Sequence, residues 1–162
     1  MIRDYISSDA AVVLALNASN VPEVGPMDLA KLELLAFESP CFKVVEIESE
    51  VIGMLIMLDE TSSYPSVNYR WFADRHESFA YVDRIALGET ARGQGWGPSL
   101  YDIATSYGVE ANKPYLCAEV NTVPPNPRSL RFHEINGFVV AGYQQPYGGD
   151  ETVAMVEKPL SV

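Results

Sequence analysis

The stretch Arg92-Gly93-Gln94-Gly95-Trp96-Gly97-Pro98 constrains this chain most. It follows an apolar run ending Ile85-Ala86-Leu87. It precedes Leu100, Ile103, Ala104 and Tyr107, which are spaced as one stripe of a helix. Pro98 suits a first helical turn, where its missing N–H costs nothing. A strand running through glycines into a helix leaves a row of main-chain N–H groups unpaired, and the helix dipole adds positive potential there. Glycine admits positive φ and lets phosphate oxygens approach the backbone. Arg92 adds a fixed cation. The pattern predicts a pyrophosphate cradle. It is not a P-loop, because no Lys-Ser/Thr pair follows. It is not a dinucleotide fingerprint, because Gly93, Gly95 and Gly97 give GxGxG and Pro98 takes the sixth position.

The length of 162 residues suits one domain spanning 1–162, with no internal repeat or linker. Eleven Lys and Arg against 22 Asp and Glu leave a net charge of −11. That mean field repels nucleic acid and anionic membrane and steers cations inward, although local donors can still hold an anion. The longest apolar run, Val51–Leu58, is far short of the ~20 residues that span a bilayer. No charged-then-apolar leader follows Met1. Cys41 and Cys117 read as reduced, buried thiols. The expectation is a cytoplasmic protein without a membrane or nucleic-acid partner. The two His and two Cys show no ligand spacing, so no metal site is expected.

Along the chain, a short strand at Met1–Ile6 leads to a helix ending near Asn17. A second helix opens at Pro26 and Asp28. Cys41–Ile47 and Val51–Leu58 form a hairpin. Residues 60–77 read as a long irregular segment, either folded over the core or forming a substrate lid. Its aromatics Tyr69, Trp71 and Phe72, with Tyr81 beyond, are candidate acceptor-binding residues. Phe79–Leu87 is a central strand. Regular alternation puts Phe79, Tyr81, Asp83, Ile85 and Leu87 on one face and Ala80, Val82, Arg84 and Ala86 on the other. Asp83 and Arg84 then need separate partners. A strand at Tyr115–Val120, a Pro-rich connector, a short helix from Asn126-Pro127 to Gly137, and two strands near Phe138–Tyr143 and Thr152–Glu157 complete the order. The fold class is α+β, with a mixed, mostly antiparallel sheet flanked by helices.

The run Arg92-x-x-Gly95-x-Gly97 resembles motif A of the GNAT acetyltransferases. Asn126-x-x-Ser129-x-x-Phe132-His133-x-x-x-Gly137-Phe138 resembles that family's second signature. The likeness covers essentially the whole chain. The Tyr64–Phe72 segment and the Val120–Pro127 run further resemble a bacterial subgroup of unassigned substrate.

The resemblance implies an acetyl-CoA site in a splayed central strand pair, and transfer of acetyl to a primary amine of a small-molecule or amino-acid-like acceptor. It implies that the main chain around Ile85, Ala86 and Leu87 bonds the pantetheine arm. Arg92, Gly93, Gln94, Gly95, Trp96 and Gly97 would hold the pyrophosphate. Asn126 would contact the arm, with Ser129 at a position often Ala in the family. His133 stands where the family commonly places a Tyr that protonates the leaving thiolate. A His near its ordinary pKa is a feasible proton shuttle, and Tyr81 or Tyr101 could replace it. Glu119 and Asp83 are the candidate bases. No metal is implied, and a homodimer is left open. The departure at His133 also admits a catalytically silent CoA-binding sensor or adaptor.

Overall fold

A computed structural model describes residues 1–161. The strands are β1 (Ile2–Asp4), β2 (Cys41–Ile47), β3 (Glu50–Asp59), β4 (Ala80–Leu87), β5 (Tyr115–Val123), β6 (Val139–Gln144) and β7 (Thr152–Pro159). The helices are α1 (Ala10–Ser19), α2 (Leu29–Glu38), α3 (Val67–Arg75), α4 (Trp96–Glu110) and α5 (Pro127–Ile135). The fold is α+β. One seven-stranded sheet runs β1-β2-β3-β4-β5-β7-β6, and every neighbouring pair is antiparallel except β4 and β5.

Helices cover both faces. Val13 and Leu16 of α1, Leu32 and Leu35 of α2, and Tyr69 and Phe72 of α3 join one buried cluster. Leu100 and Ala104 of α4 join the other, with Leu130 of α5 packed against it. Because both faces of β4 are buried, its sequence alternates little in polarity.

Four expectations change. The second helix starts at Leu29 rather than Pro26, because the Asp28 side chain caps it by accepting from the Lys31 N–H at 2.8 Å. The segment after β3 is not irregular, since it contains α3. Ser66 caps that helix by accepting from the Tyr69 N–H. Tyr69 and Phe72, three residues apart, then turn into the core, each worth about 1.5–3 kcal/mol of burial. That gain outweighs the weak helix propensity of Val, Tyr, Trp and Phe.

The third change is a bulge in β4. Ile56 faces Arg84 and Met57 faces Val82, so Asp83 is the extra residue. The alternation resets there. Ile85 and Leu87 move to the face of Ala80 and Val82, while Arg84 and Ala86 join Tyr81 on the face covered by α1. The fourth follows from it. Asp83 and Arg84 pair with each other at 2.8 Å, with both side chains 4% exposed.

Candidate active site

β4 and β5 are paired at only two positions, Ala80 with Leu116 and Tyr81 with Cys117. Beyond them β5 stays with β7 and β4 stays with β3. The central pair therefore splays from the bulge onward, and the facing main-chain edges of both strands part.

The glycine loop lies beyond the end of β4. Gly93 (φ 76°) and Gly95 (φ 85°) are both left-handed, and a Cβ built on either meets nothing within 4 Å. Main-chain N–H groups of residues 93–97 find no acceptor among the described residues. The buried Trp96 indole N–H also lacks one. A concave row of free donors at the start of α4 fits a diphosphate. The Arg92 guanidinium donates to Asn20 Oδ1 at 3.2 Å, and Asn20 Nδ2 donates to the Leu87 carbonyl at 3.1 Å. Asn20 thus ties the cradle to the end of β4. Sequence reasoning missed it, because a polar residue just past a helix reads as a turn.

The remaining cofactor candidates are placed as follows. Ile85 and Leu87 pack toward α4, and Ala86 is buried on the opposite face. Gln94 is exposed and donates to the Thr90 carbonyl. Asn126 Oδ1 accepts from the Ser129 N–H at 3.3 Å, so this residue is the cap of α5. The Ser129 carbonyl accepts from His133 Nδ1 at 2.7 Å.

His133 is 4% exposed. With Nδ1–H committed to Ser129, Nε2 is the acceptor for the Tyr101 hydroxyl at 2.5 Å. Burial pushes the imidazole pKa below its ordinary value, against the Ser129 hydrogen bond. Burial also raises the Tyr101 phenol well above its usual range. This pair packs on the α4–α5 face with Phe132 and Phe138.

Glu119 lies on the other face, two residues past the last β4–β5 pair. Its carboxylate accepts from the Tyr81 hydroxyl at 2.9 and 2.7 Å. Burial pushes its pKa up to about 8, against the Tyr81 hydrogen bond that lowers it. Asp83, the second candidate base, is held by Arg84. Arg84 also donates to Asn17 Oδ1 and the Gly25 carbonyl.

The four acceptor candidates are not gathered at one open surface. The Tyr69 hydroxyl donates to the carbonyls of Asp59 and Ser62, while Phe72 and Tyr81 are fully buried. Trp71 rests against β6, where a Cβ on Gly142 would stand 2.7 Å from its ring. Two residues not singled out from sequence bear on this side of the sheet, the buried Asn68 of α3 and Tyr147 of the β6–β7 turn. The Tyr147 hydroxyl stands over Gly25, so that turn meets the α1–α2 loop. A cavity of about 480 Å³ lies in this loop region, lined by Pro26, Met27, Asp28 and Lys31.

The structure also groups His76, Cys117 and Glu157, whose ligand atoms lie within 4.8 Å of one another. Linear spacing hid this cluster. Arg75 grips Glu157 through two nitrogens, at 2.9 and 3.2 Å, and a guanidinium there opposes a cation.

Residues 13–138 match the profile of the acetyltransferase (GNAT) family. The chain belongs to that family. It is an acetyl-CoA-dependent N-acetyltransferase, and the free amides of residues 93–97 fit that cosubstrate's diphosphate. No curated protein sequence matches it. Among solved structures it is similar to Ard1 from Thermoplasma volcanium, at 22% identity and TM-score 0.79, covering 100% of this chain and 98% of that one. It is also similar to a ribosomal-protein-alanine N-acetyltransferase from Brucella melitensis, at 22% identity and TM-score 0.73, covering 99% of each chain. An N-acetyltransferase from Staphylococcus aureus Mu50 matches at 20% identity and TM-score 0.73, over 99% and 98%. These likenesses establish the fold. Among the described residues, no helix is long and apolar enough to cross a membrane.

Proposed function

We propose that the acceptor is a primary amine on a small molecule or amino-acid-like group, and that Glu119 is the base that frees its lone pair. The observation that carries this reading is the placement of two hydrogen-bonded pairs on opposite faces of the sheet near the splay. Tyr81 and Glu119 lie on the α1–α3 face, and Tyr101 and His133 on the α4–α5 face. Proton removal from the amine and proton delivery to the leaving sulfur act on different atoms of the reacting centre and need two separate groups. The two pairs supply that separation. The contact between the Tyr147 turn and the α1–α2 loop narrows the approach, which favours a small acceptor or the end of a chain.

When bound, acetyl-CoA supplies the activated acyl group. The chain does the rest. Residues 93–97 hold the diphosphate end, and the unpaired edge of β4 beyond the bulge orients the arm. A main-chain N–H there, with Leu87 the candidate, polarises the thioester carbonyl. Glu119 takes a proton from the amine. The Tyr101 hydroxyl, positioned by His133 Nε2, turns its proton to sulfur and is reprotonated from solvent.

Thiol release from acetyl-CoA across a panel of small amines and amino acids tests the reading. Acetylation of at least one small primary amine is expected. Turnover confined to folded protein acceptors would overturn it. Gly95→Val is expected to abolish CoA binding, since the side chain fills the phosphate's place and the residue sits at φ 85°. Calorimetric titration with CoA measures this. His133→Phe is expected to lower turnover roughly 10²-fold with CoA affinity retained.

A further inference from the structure

We infer that Arg84 is a positioning residue for the acceptor: through Gly25 it fixes the α1–α2 loop as one wall of the mouth that Tyr147 narrows from the other side. The inference rests on the acceptor entering there, as proposed above. Arg84 stands three residues past Tyr81 on the face covered by α1, and its side chain is 4% exposed. Its guanidinium serves three partners. Nε donates to Asp83 Oδ2 at 2.8 Å, and Nη1 donates to Asn17 Oδ1 at 2.8 Å and to the Gly25 carbonyl at 2.9 Å. Asn17 Nδ2 donates to the same carbonyl at 3.0 Å. A strand, a helix and a loop thus meet in one closed ring of hydrogen bonds, and both lone pairs of the Gly25 oxygen are used. Among the described residues, the main chain from Gly25 to Met27 has one other tie, the Lys31 ammonium on the Pro26 carbonyl at 3.4 Å. The ring is therefore what holds this loop to the sheet.

Stability alone does not call for such a ring. Taking an ion pair out of water costs so much that apolar side chains of similar size often hold a fold as well. An apolar side chain has no donor, however, and cannot fix a loop carbonyl. Arginine offers a planar fork of donors in set directions. The bulge makes the fork usable here: with Asp83 the extra residue, the neighbour of Arg84 in sequence becomes its counter-ion. The central strands splay from that same bulge, so the loop is registered to the point where they part. Just past Gly25, Pro26, Met27, Asp28 and Lys31 line the cavity of about 480 Å³, and the Tyr147 hydroxyl stands over Gly25 itself. With Gly25 held, the gap between loop and turn is set before the acceptor arrives. A freed loop would have to be ordered at each binding event, and the loss would fall on acceptor affinity rather than on the chemical step.

The test uses the whole chain, acetyl-CoA and the small primary amine it accepts best. Asp83→Asn combined with Arg84→Met removes both charges and nearly keeps both side-chain volumes, so neither charge is left buried alone. In this double variant the acceptor KM is expected to rise about tenfold, with kcat within about threefold and KM for acetyl-CoA unchanged. Amide hydrogen exchange of residues 21–28 is expected to quicken while that of β3 and β5 stays as it was. Arg84→Lys keeps the counter-charge of Asp83 and loses the fork, so it is expected to show the same split at smaller size; it gives the reading if the double variant does not fold. An unchanged acceptor KM in a folded variant would overturn the inference and leave Glu119 as the base untouched. A fall in kcat at constant KM would also overturn it, since the pair would then belong to the chemistry. Equal rises in both KM values would do the same, as the mark of a merely structural role. Unchanged exchange at residues 21–28 would overturn it without any acceptor. No thiol release by the unaltered protein with any amine would overturn the acceptor reading and this inference together.

Discussion

Glu119, half-buried, and Glu157, buried, are carboxylates on neighbouring strands and the same face of the sheet. Cys117 pairs with Glu157, and Glu119 lies two residues further along. Their chemistry is opposite. Glu157 is gripped by Arg75 and accepts from His76 Nε2 at 2.6 Å. Those partners hold its pKa below the ordinary value although burial opposes them. Glu119 accepts from the Tyr81 hydroxyl and from no cation, and burial pushes it up to about 8. One is a permanent anion that fastens β7 to α3. The other holds a proton near neutral pH and can exchange it. The difference arises from the splay, since Glu157 sits where β4 and β5 still pair and Glu119 where they have parted. Burial beside a cation holds a carboxylate ionised; burial without one raises its proton affinity, which is what the proposed base role of Glu119 requires.

The largest expected effect breaks the pair apart by function. Glu119→Gln should lower kcat/KM by about 10²–10⁴-fold with CoA affinity kept. Glu157→Gln should leave turnover within a few-fold and lower stability by about 1–3 kcal/mol, since Arg75 is partly solvated and the pair is not fully desolvated. Steady-state kinetics and thermal melts on both variants decide this. Loss of turnover in Glu157→Gln at full folding would erase the distinction.

Next in size is the response to pH. Glu119 must be ionised to accept a proton, so kcat/KM should rise with pH through about 8. The amine's own ionisation also contributes a limb. Two acceptors of different amine pKa separate them, because the enzyme's limb stays put. Stability runs the other way. Between Glu119's ordinary 4.5 and about 8, the folded chain keeps a proton the unfolded chain has released, so this group's contribution falls as pH rises through that window. Glu157, with its folded pKa lowered, contributes stability above about 4.5 that is lost as pH falls through its folded value. Melting temperatures from pH 4 to 9 on Glu119→Gln and Glu157→Gln should remove one slope each.

How much of this was legible in the sequence depended on range. The left-handed glycines and unpaired amides of the candidate cradle were readable because glycines, Arg92 and Pro98 are contiguous and their backbone consequences are local. Glu119 was readable as a polar residue in an otherwise apolar strand. The bulge was not, because it depends on how Ile56 and Met57 register against β4, and the lost alternation is silent in a strand buried on both faces. That one residue decided whether Asp83 and Arg84 meet. α3 left a fainter trace: Ser66 as a cap and aromatics at 69 and 72 were visible, but strand-favouring residues masked them. Asn20 acts through a tertiary neighbour 67 positions away, which no local pattern encodes.

The smallest effect sharpens the comparison from inside the site. Tyr81→Phe removes the hydroxyl that donates to Glu119 and leaves the ring packed against Tyr69 and Phe72. Because that hydrogen bond favours the carboxylate, losing it should move the Glu119 limb of kcat/KM to higher pH by up to about one unit, a change worth roughly 1.4 kcal/mol. Turnover above the limb should fall only a few-fold. The same removal is not available at Glu157, where a cation does the holding and no hydroxyl contributes. A Tyr81→Phe profile that keeps its limb in place would mean the hydroxyl is a bystander, and the proton affinity of Glu119 would then be set by burial and the charges around it.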